Sequence, residues 1–232
     1  MAETQSVLVI VAHPDDAEFG CAGTVARWVD EGREVSYCLL TNGNKGSADP
    51  AMTPERLAGI REDEQRVAAR SLGVKEVLFL GYPDGELEDT REARRDVVRA
   101  IRRFRPDRVV TQNPFPSLNP YSGHRDHRHA GRLALDAVYP YARDRLHFPE
   151  VLAEGWEPHK VREVYLVGHA EPDLVVDITA TMDRKLEALR CHVSQLKDFH
   201  AVEAQVRQRA ADLGKSHGYT YAEAFRLVDL PR

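Results

Sequence analysis

The feature that most constrains the fold is an alternation of short apolar runs with longer segments of helical period. The first apolar run, residues 6–12 (SVLVIVA), is almost continuous, as expected for a strand that is covered on both faces. Further strands are predicted at residues 34–41, 77–82, 108–112, 161–167 and 174–177. Helices are predicted at residues 17–32, 54–73, 90–105, 125–139, 181–195 and 202–214.

Strands and helices that alternate in this way form right-handed βαβ units. We therefore predict an α/β fold with a doubly wound (Rossmann-like), mostly parallel sheet, helices on both faces, and a single domain over residues 1–232. In such sheets ligands bind outside the carboxyl ends of the strands. The candidate site should therefore lie in the loops that follow the first four strands.

Composition and charge indicate which kinds of binding partner to expect. The 37 acidic side chains outnumber the 32 Lys and Arg side chains, and a net charge of −5 gives no reason to expect nucleic acid as a partner. No apolar run is long enough to span a bilayer, and no basic segment precedes the first apolar run as in a secretory signal. We therefore expect a cytoplasmic protein with no membrane partner. The sequence leaves the oligomeric state open, with a homo-oligomer as one alternative.

A histidine and two carboxylates follow the first predicted strand directly, in the segment His13-Pro14-Asp15-Asp16. Imidazole and carboxylate are ordinary zinc ligands, and a catalytic zinc takes three protein ligands and leaves one position open. The alternative is that Asp15 or Asp16 only caps the next helix, which aspartate does well. One aspartate is enough for a cap, and a cap does not need His13. The segment therefore favours a metal site.

A second polar cluster, GHRDHRH (residues 123–129), follows the fourth predicted strand. His124 and His127 are three residues apart and so share a helix face or a turn. The alternative is an exposed polar loop, which is the better interpretation for any single histidine. Three histidines beside an aspartate, at the same sheet edge as the first cluster, instead indicate one composite site.

Two segments resemble motifs of the LmbE/PIG-L family of N-acetylglucosaminyl deacetylases: VAHPDDAEFGCAGT (residues 11–24) and GHRDHRHAG (residues 123–131). Supporting matches lie at Arg61 and Glu64 and in the segments GYPDGEL (81–87), VDIT (176–179) and HVSQ (192–195). The resemblance therefore extends over most of the chain.

This resemblance implies a catalytic zinc ion (Zn2+) and assigns roles by position in the motifs. The zinc ligands fall on His13, Asp16 and His127. The general base falls on Asp15, and the histidine that stabilises the transition state falls on His124.

The second motif adds a second carboxylate and one departure from the family pattern. Its middle aspartate falls on Asp126, which we expect to orient a protonated His124 as carboxylates commonly do for histidines. Arg125 stands where family sequences often carry proline. We expect this change to remove no ligand but to shift the loop and alter access to the site.

Three residues are predicted to contact the substrate: Arg61, Asp84 and Tyr121. For Arg61 the alternative is a solvated ion pair on a helix face. For Asp84 the alternative is a Pro-Asp-Gly turn, which its neighbours support. Tyr121 is offset from the tyrosine that precedes the motif in some family members. The roles of His129 and of the 192–195 segment, with His192 and Gln195, stay open.

The leading hypothesis is a zinc-dependent hydrolase that removes an N-acyl group, expected to be N-acetyl, from a small amino sugar or N-acetylglucosamine conjugate. A second hypothesis keeps the zinc site but takes a thiol conjugate or an acylated antibiotic as substrate. A third, of another class, is a non-catalytic nucleotide-sugar-binding domain. The first strand–helix turn lacks G-x-G-x-x-G, and its carboxylates would repel phosphate. Metal content separates the two hydrolases from the binding domain.

Overall fold

The computed structural model describes residues 5–115 and 123–230, which form strands and helices in alternation. The strands are β1 Ser6–Val11, β2 Glu34–Thr41, β3 Glu76–Tyr82, β4 Arg108–Gln112, β5 Glu163–Val167, β6 Leu174–Asp177 and β7 Ala222–Asp229. The helices are α1 Asp16–Asp30, α2 Pro54–Leu72, α3 Arg91–Phe104, α4 Arg125–Asp136, α5 Pro149–Ala153, α6 Met182–Arg190 and α7 Phe199–Lys215. A π-helical turn, Ala137–Tyr141, follows α4.

The strands form one seven-stranded sheet in the order β3-β2-β1-β4-β5-β7-β6. Strands β1 to β5 run parallel to one another, whereas β7 runs antiparallel to both β5 and β6. The chain moves from β1 outward to β3, then returns to β4 on the other side of β1. The crevice between β1 and β4 is therefore the topological switch point, where α/β sheets bind ligands.

Helices cover both faces of the sheet, as the apolar pattern of β1 requires. Leu8 and Ile10 of β1 belong to an apolar cluster with residues of α3 and α4. Val7 and Val9 point to the other face and belong to a cluster with residues of α1, α2 and α6. Each side chain of this size contributes about 1.5–3 kcal/mol when it is buried. The predicted α/β fold class is confirmed.

The structure differs from the prediction mainly in the C-terminal part of the chain. The sequence pattern did not predict β7 or the short helix α5. Helix α6 ends at Arg190, five residues earlier than predicted, so His192 and Gln195 lie in the turns that follow it. Among the helices of the described residues, none combines the length and the apolar character needed to cross a membrane.

Candidate metal and catalytic site

The two predicted polar clusters meet at the carboxyl edge of the sheet. Strands β1 and β4 are paired in parallel, with Leu8 opposite Val109, so the loops that follow them start side by side. Helix α4 packs closely against the end of β4 because it has glycine at position 131. A Cβ there would collide with the carbonyl oxygen of Gln112. This close packing brings the histidines at the start of α4 over the loop after β1.

The three predicted metal ligands present their ligating atoms to one another. Nδ1 of His13 lies 3.2 Å from Nε2 of His127. One oxygen of the Asp16 carboxylate lies 3.3 Å from His13 Nδ1, and the other lies 3.0 Å from His127 Nε2. Asp16 also accepts a hydrogen bond of 2.7 Å from the backbone N–H of His13, which fixes its carboxylate in the crevice.

These separations suit a small divalent cation. Tetrahedral nitrogen and oxygen ligands at about 2.0–2.2 Å from zinc are about 3.3–3.5 Å apart, close to the distances between these donors. The crevice also favours positive charge. Burial alone lowers the pKa of His13, but hydrogen bonds to Asp126 and Asp16 and the nearby carboxylate charges raise it to about 12. The residues present therefore fit a metal ion held by an imidazole pair and a carboxylate.

Asp126 contacts a different histidine from the one we expected. Its carboxylate is fully buried and lies 3.1 Å from Nε2 of His13, the ring nitrogen that faces away from the donor cluster. It also accepts hydrogen bonds from the backbone N–H groups of Gly85 (2.6 Å) and Leu87 (3.3 Å). The expectation that this carboxylate orients His124 is wrong. The carboxylate contacts His13 instead, because Asp126 lies in the first turn of α4 and is buried there, and we expect it to orient the His13 ring.

His124 is the N-cap residue of α4. Its Nδ1 accepts a hydrogen bond of 3.2 Å from the backbone N–H of Asp126, so Nε2 is the nitrogen that carries the proton in the neutral ring. Its ring lies 5.0 Å from that of His13 and 5.1 Å from that of His127, between ring centroids. Burial, with the charges of those two histidines, lowers the pKa of His124. The structure therefore favours a neutral imidazole that donates through Nε2, rather than the protonated ring that we expected.

Asp15 precedes α1 in a conformation that is unusual for a residue with a side chain, with φ 84° and ψ −23°. Although it occupies the N-cap position, its side chain makes no cap hydrogen bond, so the capping alternative does not account for it. Burial raises the pKa of Asp15 to about 6, against the opposing charge of Arg61. A half-buried carboxylate of this kind, beside candidate metal ligands, can exchange a proton near neutral pH.

Arg61 is buried rather than solvated, so the surface ion-pair alternative is wrong. Its guanidinium donates to the carbonyl oxygens of Pro14 (2.7 Å) and Gly43 (3.0 Å) and to the Asp15 carboxylate (3.2 Å). It therefore joins the loops after β1 and β2. Gly43, with φ 65°, has no Cβ to collide with this guanidinium. A direct contact between Arg61 and substrate stays a prediction.

Asp84 lies in the predicted turn, because the backbone N–H of Glu86 donates to the carbonyl oxygen of Pro83 at 3.2 Å. Its carboxylate also lies 3.2 Å from Nε2 of His13, so it contacts that ligand together with Asp126. A sugar contact by Asp84 stays a prediction. Tyr121 lies outside the described residues.

Sequence reasoning did not predict the buried polar residues that support the backbone of Asp15. Gln65 of α2, Glu18 of α1 and His192 are each fully buried and hydrogen-bonded in series, ending at the backbone of Asp15. The sequence carried no clear signal for them, because Glu and Gln are ordinary residues of amphipathic helices.

Two groups of candidate metal ligands lie among the described residues: His13 with His124 and His127, and His13 with Asp84 and Asp126. Neither group contains His129, whose pKa is lowered mainly by burial.

Several known proteins are similar to this chain in sequence and in fold. Residues 8–138 match the PIG-L family, described as GlcNAc-PI de-N-acetylase. Diacetylchitobiose deacetylase of Thermococcus kodakarensis is 37% identical over 97% of this chain and 84% of its own length. A probable N-acetyl-alpha-D-glucosaminyl L-malate deacetylase 2 of Bacillus cereus is 31% identical over 84% of this chain and 87% of its own.

A solved structure supports the same assignment. The N,N'-diacetylchitobiose deacetylase from Pyrococcus horikoshii, complexed with its inhibitor MPG, superposes with a TM-score of 0.91 at 35% identity. The match covers 98% of this chain and 85% of that one. The chain therefore belongs to the PIG-L family, and the prediction that it is an N-deacetylase acting on amino sugars is confirmed.

Proposed function

We propose that the protein is a zinc-dependent deacetylase that hydrolyses the N-acetyl group of a small amino sugar related to diacetylchitobiose. The observation that carries the proposal is the group of ligating atoms from His13, Asp16 and His127, in which both Asp16 oxygens take part and the separations are 3.0–3.3 Å. Asp15, which is half-buried, directly precedes Asp16. We further propose that residues 1–232 act as one deacetylase domain.

The ligand set matches zinc better than the other common divalent cations. Two imidazoles and one carboxylate form a familiar three-ligand zinc set, whereas magnesium and calcium prefer oxygen ligands throughout. A bound zinc ion supplies a Lewis acid that polarises a carbonyl oxygen and makes water more acidic. Asp126 and Asp84 hold the His13 ring by its Nε2, which leaves Nδ1 free to face the ion.

The protein groups around the ligands have complementary roles in amide hydrolysis. Asp15 accepts the proton of the attacking water and returns it to the leaving nitrogen of the sugar, so that the amine departs uncharged. His124 donates from Nε2 to the amide oxygen as that oxygen gains negative charge. The backbone N–H of Asp126 fixes the tautomer of His124 that can do so. We assign these roles from the positions of the two side chains, which both border the crevice between β1 and β4.

Three of the similar proteins support the proposed substrate class. Two of them, from Thermococcus kodakarensis and Pyrococcus horikoshii, deacetylate diacetylchitobiose and match almost the whole chain at 37% and 35% identity. The relative from Bacillus cereus, a probable N-acetyl-alpha-D-glucosaminyl L-malate deacetylase 2, is less similar, at 31% identity. We therefore expect N,N'-diacetylchitobiose or N-acetylglucosamine to be the better substrates.

The test is a panel assay on the zinc-loaded protein. Release of primary amine is measured with N,N'-diacetylchitobiose, N-acetylglucosamine, an N-acetylglucosaminyl malate, an acetylated thiol conjugate and an acylated glycopeptide. We expect turnover of the first two, lost on removal of metal and in Asp15→Asn. Turnover confined to the thiol conjugate or the glycopeptide would contradict the assigned substrate class, and no turnover of any member would contradict the function.

A further inference from the structure

A row of buried polar groups runs from the turn after α6 to the backbone of Asp15. Nε2 of His192 lies 3.3 Å from Oε2 of Glu18, and Oε1 of Glu18 accepts a hydrogen bond of 2.9 Å from the Gln65 side-chain amide. Oε1 of Gln65 in turn accepts a hydrogen bond of 3.0 Å from the backbone N–H of Asp15. His192, Glu18 and Gln65 are each 0% exposed, so no solvent competes for these contacts.

The backbone of Asp15 needs such support. Its φ of 84° lies in the left-handed region, which a residue with a Cβ adopts only when its surroundings hold it there. Two residues of α2, one helical turn apart, hold this segment. Arg61 donates to the Pro14 carbonyl oxygen and to the Asp15 carboxylate, and Gln65 accepts a hydrogen bond from the Asp15 N–H. Together they fix both the backbone and the side chain of one residue.

Glu18 determines the order of hydrogen-bond donors and acceptors along the row. A carboxylate only accepts hydrogen bonds, so Glu18 must face the NH2 of the Gln65 amide. The amide oxygen is then directed at Asp15, where it can accept from the N–H. His192 donates to the second oxygen of Glu18 and so fixes the plane of that carboxylate. Reversal of the Gln65 amide would place two donors face to face at Asp15.

We infer that His192, through Glu18 and Gln65, is a positioning residue that aims the Asp15 carboxylate at the reacting water. The inference rests on the proposed role of Asp15 as the general base. His192 itself is 0% exposed and contacts Glu18, so it acts on Asp15 through this row and offers no surface to a substrate. The segment 192–195 therefore contributes to catalysis, although it is far from the two motifs in sequence.

The test uses variants loaded with zinc. His192→Leu removes the N–H donor, and we expect kcat to fall about 10–100-fold while KM and zinc content stay at the parent values, because the His192 side chain contacts Glu18 and none of the zinc ligands. His192→Gln restores a donor and recovers most of the loss. Gln65→Met removes the acceptor of the Asp15 N–H directly, and we expect it to lower kcat to a similar extent. If His192→Leu does not fold, Gln65→Met tests the positioning of Asp15 in its place.

Glu223→Gln is the matched control. Glu223 is also a buried carboxylate that supports α1, accepting from the backbone N–H groups of Gly23 (3.0 Å) and Thr24 (2.7 Å), but its contacts do not lead to Asp15. We expect it to lower the melting temperature and leave kcat unchanged. Parent-like kcat in folded Gln65→Met and His192→Leu, or an equal fall of kcat in Glu223→Gln, would overturn the inference.

Crystal structures of the variants provide a readout that does not depend on turnover. In Gln65→Met we expect the Asp15 backbone to leave the left-handed region and its carboxylate to turn away from the crevice. If the parent releases no amine from any substrate of the panel, the proposed function fails. The positioning of Asp15 is then decided by these structures, and an Asp15 conformation unchanged from the parent would overturn it.

Discussion

Replacement of Asp126 by asparagine changes one charged group in the support of the metal site while its shape is kept. The carboxylate is fully buried and has three described hydrogen-bonding partners: Nε2 of His13 and the N–H groups of Gly85 and Leu87. Its two oxygens accept from all three. Asparagine has a single acceptor oxygen, so in either orientation of the amide at least one partner faces a donor.

The magnitude follows from the contact with His13. In Asp126→Asn the bond from His13 Nε2–H loses its charged acceptor, and a hydrogen bond to a charged group contributes about 1.5–3 kcal/mol. Since about 1.4 kcal/mol corresponds to a tenfold change in affinity, zinc should bind about 10–100-fold more weakly. Substitutions of such outer carboxylates in other metal sites cost about the same. Asp84, which also contacts His13 Nε2, prevents a larger loss.

The assay is competition for zinc with a chromophoric chelator at constant pH. Asp89→Asn is the matched control, because Asp89 lies in the neighbouring loop but pairs with Arg94 (2.6 Å) and Arg132 (3.2 Å). We expect parent-like zinc affinity in the control. Unchanged affinity in a folded Asp126→Asn protein, or an equal loss in Asp89→Asn, would refute the role of Asp126 as the support of His13.

Three further substitutions separate catalysis, oxyanion binding and stability. Asp15→Asn keeps the left-handed backbone, which asparagine tolerates, and should retain zinc while amine release falls about 10²–10⁴-fold. His124→Ala should also retain zinc, with kcat lowered about 10²–10³-fold and KM little changed in steady-state kinetics; loss of zinc would instead identify His124 as a ligand. Lys185→Met leaves the buried Glu223 carboxylate without its cation, 2.6 Å away, and should lower the free energy of unfolding by about 3–5 kcal/mol in urea denaturation. Near-normal turnover in Asp15→Asn, or an unchanged urea midpoint in Lys185→Met, would contradict the respective assignment.

The sequence predicts the parts of the fold that have local signals. The run of residues 6–12 has no polar side chain after its first position, so a buried parallel strand is the natural interpretation. Strand β7 has no such signal, because Glu223 and Arg226 interrupt its apolar residues. Glu223 is nevertheless buried, since Lys185 pairs with it from a helix that is distant in sequence. A long-range pair of this kind leaves no periodic pattern.

The same division applies to the site. The residues of both motifs meet in the crevice because they follow adjacent parallel strands, which could be predicted from strand order alone. The partner of Asp126 could not be predicted, because proximity in sequence favoured His124 whereas the fold brings His13 to it from 113 positions away. Gln65 and Glu18 read as ordinary polar positions of amphipathic helices. Only the packing of α1 against α2 shows that they support Asp15.

The central claim is that His13, Asp16 and His127 hold one catalytic zinc ion. The most direct measurement is the zinc content per chain of purified parent, His13→Ala, His127→Ala and His129→Ala proteins after dialysis against a weak chelator. We predict about one zinc per chain in the parent and in His129→Ala, and little in the other two, because each of those lacks one of three ligands. Full zinc retention in folded His13→Ala or His127→Ala, or loss confined to His129→Ala, would contradict the account.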